Sequence, residues 1–400
     1  MRSFLEPRLA IATLWSENPA SKELSSTAWM NGLRGWAAFS VFNFHYLFAF
    51  TDIVSVGYGY DRDHRQIFAL PPFRLLYDGG TCVNIFFVIS GYVCSSQTLK
   101  LVSSKRMPDL GKTLSTSLFR RWFRLYLPCM CMMLITALMT HFGLFGFTDG
   151  MMAEREKFFP GPLAEDNLTR FGSLRQQLVF FATEVHQLVD IWNVKPVYAK
   201  HDPHLWTIPY EYRASIHLYL TILALAQCHC FVRLGGFVAL SALHLSLGRW
   251  EMPLFLLGAA IAQYRIICDN PSSLLPNSRQ SEQMPSNAAQ NGENRSLLRE
   301  RVSKLVRLLA FAVALYLMTY PIAGYKRPAP GYIWINNYIP RWYKRKEKLP
   351  KSIGVLMFFA DSHNTWVKLC LACIWCMDLS FTPLDMQFPT GFGGLLATIR

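Results

Sequence analysis

Residues 80–99 read Gly80-Thr-Cys-Val-Asn84-Ile-Phe-Phe-Val-Ile-Ser90-Gly91-Tyr92-Val-Cys-Ser-Ser-Gln-Thr-Leu99, without a single Asp, Glu, Lys or Arg. As a helix this stretch rises about 30 Å, the thickness of a bilayer's hydrocarbon core. Ser90 and Gly91 are small residues in an aromatic run, which suits close approach of a second helix. Ser90 could also carry an acyl group, but the sequence shows no base beside it.

Working outward, further apolar runs occupy 32–50, 125–147, 205–231, 234–248, 252–268 and 305–324. A soluble helical protein would show periodic stripes instead. The run at 234–248 is short, so it is re-entrant or little tilted. Segment 174–192 contains Glu184, His186 and Asp190, which favour an amphipathic surface helix over a span. A last run, 353–379, holds Asp361, His363 and Lys368 and makes a poor span. The expected fold class is all-α, a polytopic transmembrane helix bundle with about eight or nine hydrophobic segments.

The whole chain agrees. Of its 400 residues, 52% are hydrophobic and 16% charged, against about a quarter charged in soluble domains. The net charge of +14 comes from short clusters between the runs, as in cytoplasmic loops facing anionic lipid or an anionic ligand. No basic face or reader motif accompanies it, so nucleic acid is not an expected partner; membrane lipid is. The ten cysteines fall mostly in apolar runs and read as unpaired. Cys370, Cys373 and Cys376 have metal-like spacing but lack supporting ligands, so no metal site is expected.

Loop charge gives an orientation. The 100–124 connector carries Lys100, Lys105, Arg106, Lys112, Arg120, Arg121 and Arg124 and belongs in the cytoplasm. Residues 1–28 then form a cytoplasmic segment without a cleavable signal peptide, and 51–79 and 148–203 lie outside. Residues 29–379 form one transmembrane domain. Within it, 269–300 is rich in Ser, Asn, Gln and Pro and reads as a disordered loop. The basic, aromatic stretch 325–352 suits the headgroup level.

Four constellations could carry chemistry. Arg34 opens the first run and His45 comes eleven residues later, about three turns along the same face. Arg34 is a donor-binding candidate or an interfacial anchor; His45 is a general-base candidate or a structural histidine. The second is the Ser90-Gly91 run. In the third, Arg120-Arg121-Trp-Phe-Arg124, Arg121 and Arg124 share a helical face. Paired guanidinium forks suit phosphate, and a positive-inside anchor is the alternative. In the fourth, His204-Leu-Trp206-Thr-Ile-Pro-Tyr-Glu211, Glu211 enters a span where a carboxylate must be paired or solvated.

In order and spacing these four segments resemble the acyltransferase-3 family of multi-pass membrane acyltransferases, in its fungal-like branch. The likeness covers about residues 28–330. It implies a helix bundle that moves acyl groups, most often acetyl, from an acyl-CoA-type co-substrate to a hydroxyl of a carbohydrate, lipid or secondary metabolite, with no bound cofactor. It also associates Arg34, His45, Arg121 and Arg124 with activity. The family's late Gly-Lys-Ile-Ser-Phe segment has no counterpart, and 380–400 reads as an atypical, truncated or altered tail.

These residues lead to an expected mechanism. Neutral His45 takes the acceptor's proton. Glu211 stands at a similar depth and orients it; His204 and Ser90 support; Arg34, Arg121 and Arg124 hold the donor. A transporter or channel lined by these residues, or a non-catalytic truncated homologue, is the alternative.

Overall fold

The computed structural model describes residues 28–162, 168–193, 196–269, 289–323, 326–327, 329–343 and 346–361. Its longer helices are α1 (Ala28–Phe50), α2 (Gly79–Ser103), α3 (Met107–His141), α4 (Leu174–Val189), α5 (Thr207–Ala224), α6 (Cys230–Ser246), α7 (Glu251–Asp269), α8 (Ala289–Met318) and α9 (Lys348–Asp361). Among the described residues there is no strand, only an isolated bridge between Ala199 and Asp202. The all-α fold class stands. By length and composition α2, α3 and α7 can each cross a membrane, and α6 is a shorter apolar helix.

Local chemistry sets the boundaries. Asp78 caps α2 by accepting the Thr81 N–H at 2.9 Å, and Ser173 caps α4 by accepting that of Gln176 at 3.3 Å. Each cap satisfies one orphan amide of the first turn. Pro108 sits in the first turn of α3, where its missing N–H is harmless. The helix then runs on through Arg120, Arg121 and Arg124. The 100–124 segment, expected as a connector, is therefore helical apart from a short break between Ser103 and Met107. The Leu, Lys and Arg residues there favour helix, and charge alone does not stop one. Similarly, α8 starts at Ala289, so residues 289–300 are helical rather than loop. Cys370, Cys373, Cys376 and the 380–400 tail lie outside the described residues. Among those described, the seven cysteines form no disulfide.

Helix α2 is the hub, packing on α1, α3, α5, α7 and α9. Its closest partner is α7. A Cβ on Gly91 would collide with the Phe255 carbonyl oxygen, and one on Gly258 with that of Val88. Each helix thus presents a glycine to the other's backbone, the small-residue contact that membrane helices use in place of hydrophobic drive.

The helices alternate in direction, and one end of the bundle gathers their termini. Lys351 of α9 pairs with Asp78 at the start of α2, both about 1% exposed. Thr81 donates to the Met318 carbonyl at the end of α8. Arg213 of α5 faces Glu251 of α7 at 3.6 Å. The Gly161 amide reaches the Ala49 carbonyl of α1 at 3.0 Å, and Arg170 reaches His141 of α3 at 3.1 Å. The described parts of 51–78 and 148–203 thus share one end of the bundle. In the 325–352 stretch, Trp334, Tyr338 and Trp342 are exposed, as a headgroup-level segment requires, but Lys348 and Lys351 are buried. Asp78 explains Lys351. Lys348 Nζ lies 4.4 Å from the Trp250 ring centre and 5.6 Å from that of Trp206, so cation–π contact holds it inward.

Candidate functional site

His45 lies five residues before the end of α1, half-buried. Its ring meets that of His204 edge to face, with centres 4.1 Å apart and planes at 87°. His204 belongs to the 3-10 turn Pro203–Trp206 that leads into α5. Asp202 caps this turn. Its Oδ1 accepts the His204 backbone N–H at 3.0 Å and lies 3.0 Å from the ring Nδ1. A carboxylate on Nδ1 fixes the tautomer, places the lone pair on Nε2 and favours a protonated ring. The result is a chain from Asp202 through His204 to His45.

A second polar group lies farther along α5. Glu211 Oε1 accepts a hydrogen bond from Ser90 Oγ at 2.9 Å and another from Arg121 at 2.6 Å. The same guanidinium reaches Cys94 Sγ at 2.8 Å and stands over the Phe255 ring. Its Nε is buried without a hydrogen-bond partner among the described residues. The Arg121 and Glu211 side chains are 17% and 20% exposed, and their charges compensate within the bundle. Ser90 does not bond back to the preceding turn, as Ser95 and Ser215 do, but crosses to another helix.

These contacts join Glu211 to Ser90 and Arg121 and His45 to His204, rather than His45 to Glu211 as expected. His204 precedes Glu211 by seven residues, about 10 Å along a helix axis. His45 stands at the level of His204, so Glu211 lies deeper. The physical reason is charge: an arginine satisfies a carboxylate in a low-dielectric site better than a neutral imidazole does.

The three arginines differ in their surroundings. Arg121 turns inward to Glu211, while Arg124, one turn on, is exposed and within electrostatic reach of Cys94. Arg34 is exposed on the first turns of α1, about 16 Å along that helix from His45.

The family model for an acyltransferase domain matches residues 27–360. The chain belongs to the acyltransferase-3 family. Among curated proteins, this acyltransferase-3 chain is 25% identical over 353 residues to the O-acetyltransferase PaAT-1 of Phomopsis amygdali, covering 86% of the chain and 67% of that protein. It is 29% identical over 286 residues to the acyltransferase clz18 of Cochliobolus lunatus, covering 61% of the chain and 58% of that protein. It is 26% identical over 285 residues to the acyltransferase R4 of Phoma sp. (strain ATCC 20986 / MF5453), covering 61% and 59%. The matches to the last two span less than two thirds of those relatives' length. No solved structure matches the chain. Family membership and the long apolar helices make this a membrane protein.

Sequence reasoning missed Asp202, Glu184 and His201 in this acyltransferase-3 chain. Asp202-Pro-His204 carried a signal, since Asp before Pro marks a turn that caps the next helical segment. Glu184 reads in the sequence only as evidence against a span. Its carboxylate in fact accepts the backbone N–H of Lys200 at 2.6 Å and of His201 at 3.2 Å, and also bonds the His201 ring. Burial alone would raise the Glu184 pKa, but the His201 ring and these two amides outweigh it and hold the carboxyl below its ordinary value.

Proposed function

We propose that this acyltransferase-3 protein is a multi-pass membrane O-acyltransferase. It moves an acyl group, acetyl in the first instance, from an acyl-CoA-type thioester to a hydroxyl of a lipid, carbohydrate or other small molecule. The printed activity of one relative, an O-acetyltransferase, supports the choice of acyl group. The observation that carries the reading is the Asp202–His204–His45 chain at the loop-bearing end of the bundle.

The chemistry needs a base, since a neutral hydroxyl attacks a thioester slowly. His45 or His204 takes the proton as the acceptor oxygen adds to the carbonyl carbon. The C–S bond then breaks, and the departing thiolate receives the proton. Asp202 stabilises the imidazolium formed in between, as a carboxylate does for histidine in other acyl transfers. The exposed Arg124 and Arg34 are suited to the donor's phosphates. Arg121 and Glu211 keep the interior polar beneath the histidines. The proposed setting is an endomembrane or the plasma membrane.

The test is transfer of radiolabelled acetyl from acetyl-CoA to a hydroxylated extract by the purified protein in detergent. Label in an ester product that vanishes with His45→Ala supports the reading. Substrate movement into vesicles without ester formation would indicate a transporter and end it.

A further inference from the structure

We infer that Glu184, on the amphipathic helix α4 beside the bundle, is a positioning residue for the His45–His204 pair and acts through His201 and Asp202. The inference rests on the acyl-transfer reading above and extends its machinery to an element that touches no reacting group.

The same device occurs twice, three residues apart. Glu184 bonds the backbone N–H and the ring Nδ1 of His201. Asp202 bonds the backbone N–H and the ring Nδ1 of His204. The first carboxylate anchors the segment that carries the second. His201 and Asp202 are adjacent, both 5% exposed, and Pro203 stiffens the step to His204. The His201 ring packs on Phe180 and Phe181 of α4, with centres 5.2 and 6.4 Å away. Its Nε2 is buried with no hydrogen-bond partner among the described residues. His201 is a peg, and Glu184 is its socket.

Docking of α4 does not explain a buried carboxylate. The helix already lays Phe181, Val185, Leu188 and Val189 against Leu125, Tyr126, Met133, Ile208 and Tyr212 of α3 and α5. An apolar residue at 184 would extend that contact without the desolvation that an ionised group suffers. The carboxylate instead addresses residues 200 and 201 with three bonds. The function this serves is register: a shift of about 1 Å in Asp202 would misplace the imidazole that meets His45, and misplacement of that size can lower a rate by about 100-fold.

The experiment compares Glu184→Gln with Asp202→Asn in the full-length protein. One readout is kcat against KM. The other is carbethoxylation of His204 as a function of pH, followed by peptide mass spectrometry, which needs no activity. The titratable groups near His204 among the described residues are Asp202 on its own turn, His45 on α1 and Lys348 of α9, which stands over Trp206. Asp202→Asn removes the anion that favours protonated His204, so modification should begin at lower pH. Glu184→Gln should shift the profile the same way by part of that amount. It should lower kcat about 10-fold with donor KM within about twofold, and combine less than additively with Asp202→Asn. Glu184→Leu removes all three bonds and is the harsher variant; if it fails to assemble, the near-isosteric Gln decides. An unshifted His204 profile in Glu184→Gln overturns the inference, as does an activity loss that only tracks lost folded protein. Wild-type protein that transfers no acyl group would refute the functional reading instead, and the His204 profile would still report on positioning.

Discussion

At the scale of single residues, the interior holds two kinds of polar contact that should respond differently to mutation. His45 meets His204 ring to ring and makes no ion pair among the described residues, so removing it strands no opposite charge. His45→Ala should therefore lower transfer by about 100-fold or more while the protein assembles normally, the range expected for losing a general base. Activity assays beside size-exclusion profiles check this, and full activity would remove His45 from the mechanism. Arg121 and Glu211 are opposite charges with little solvent. Glu211→Ala strands a guanidinium and should cost about 3–5 kcal/mol, read as a lower unfolding temperature in detergent. An Arg121→Met, Glu211→Leu double variant should regain most of that stability. If it is no more stable than Glu211→Ala, the pair is not holding the bundle. Arg124 offers the contrast, being exposed one turn away. Arg124→Gln should raise donor KM several-fold, roughly the worth of one charge-assisted phosphate contact, without moving the unfolding temperature.

Among the elements, α2 shows what the sequence could and could not reveal. Its uncharged run over 80–99 and its Ser-Gly pair were visible, because these depend on composition and on space at one position. The identity of the helix facing Gly91 was not, because α7 lies far along the chain and its Gly258 looks ordinary in sequence. Gly91→Leu should separate α2 from α7 and prevent stable assembly. Loop 51–78 was legible only as polar. In the structure Arg74 is buried and donates to the carbonyls of Ile53, Val54 and Val56, closing the loop from within. His64 ties its other side, with Nδ1 2.5 Å from Asp61 and Nε2 2.9 Å from Asp52. Burial alone would lower the His64 pKa, but the hydrogen bonds to Asp61 and Asp52 outweigh it and raise it. Asp61 is held below its ordinary value, chiefly by His64. A raised histidine contributes stability that is complete below its unfolded value of about 6.5 and fades as pH rises through the folded one. A depressed carboxylate contributes stability that is complete above its unfolded value of about 3.9 and fades as pH falls through the folded one. The loop should thus be tightest in mildly acidic solution. Amide exchange over 52–66, corrected for intrinsic rates, should show protection at pH 6 that declines above it. His64→Gln should abolish that pH dependence; a decline that persists in the variant would assign it elsewhere.

For the molecule as a whole, the hydrophobic runs were legible because each span must satisfy its backbone and cover about 30 Å on its own. The pairing of buried polar groups was not, because depth counted from helix ends cannot say which neighbour a side chain meets. Among the described residues, α1, α2, α3, α5, α6, α7, α8 and α9 alternate in direction, while α4 lies beside them. This arrangement makes a prediction that does not depend on which end faces the cytoplasm. Two glycosylation sequons exist, Asn167-Leu-Thr169 and Asn294-Arg-Ser296. Asn167 itself lies outside the described residues, but Gly161 and Arg170 on either side of it are tied to Ala49 and His141, at the loop-bearing end. Asn294 lies on α8, whose last residue Met318 is bonded at that same end by Thr81. Its position 24 residues earlier puts it about 36 Å away along the helix, at the opposite end. A glycosyl transferase that works on one side of a membrane can therefore modify only one of the two. If the basic 100–124 stretch faces the cytoplasm, as the loop-charge rule expects, that one should be Asn167. Expressed in a glycosylating host, the protein should lose mass on glycosidase treatment, and Asn167→Gln should abolish the change while Asn294→Gln leaves it intact. A change that depends on Asn294 alone would invert the orientation and move the His45–His204 pair to the cytoplasmic side. Modification of both would break the alternating order of the helices.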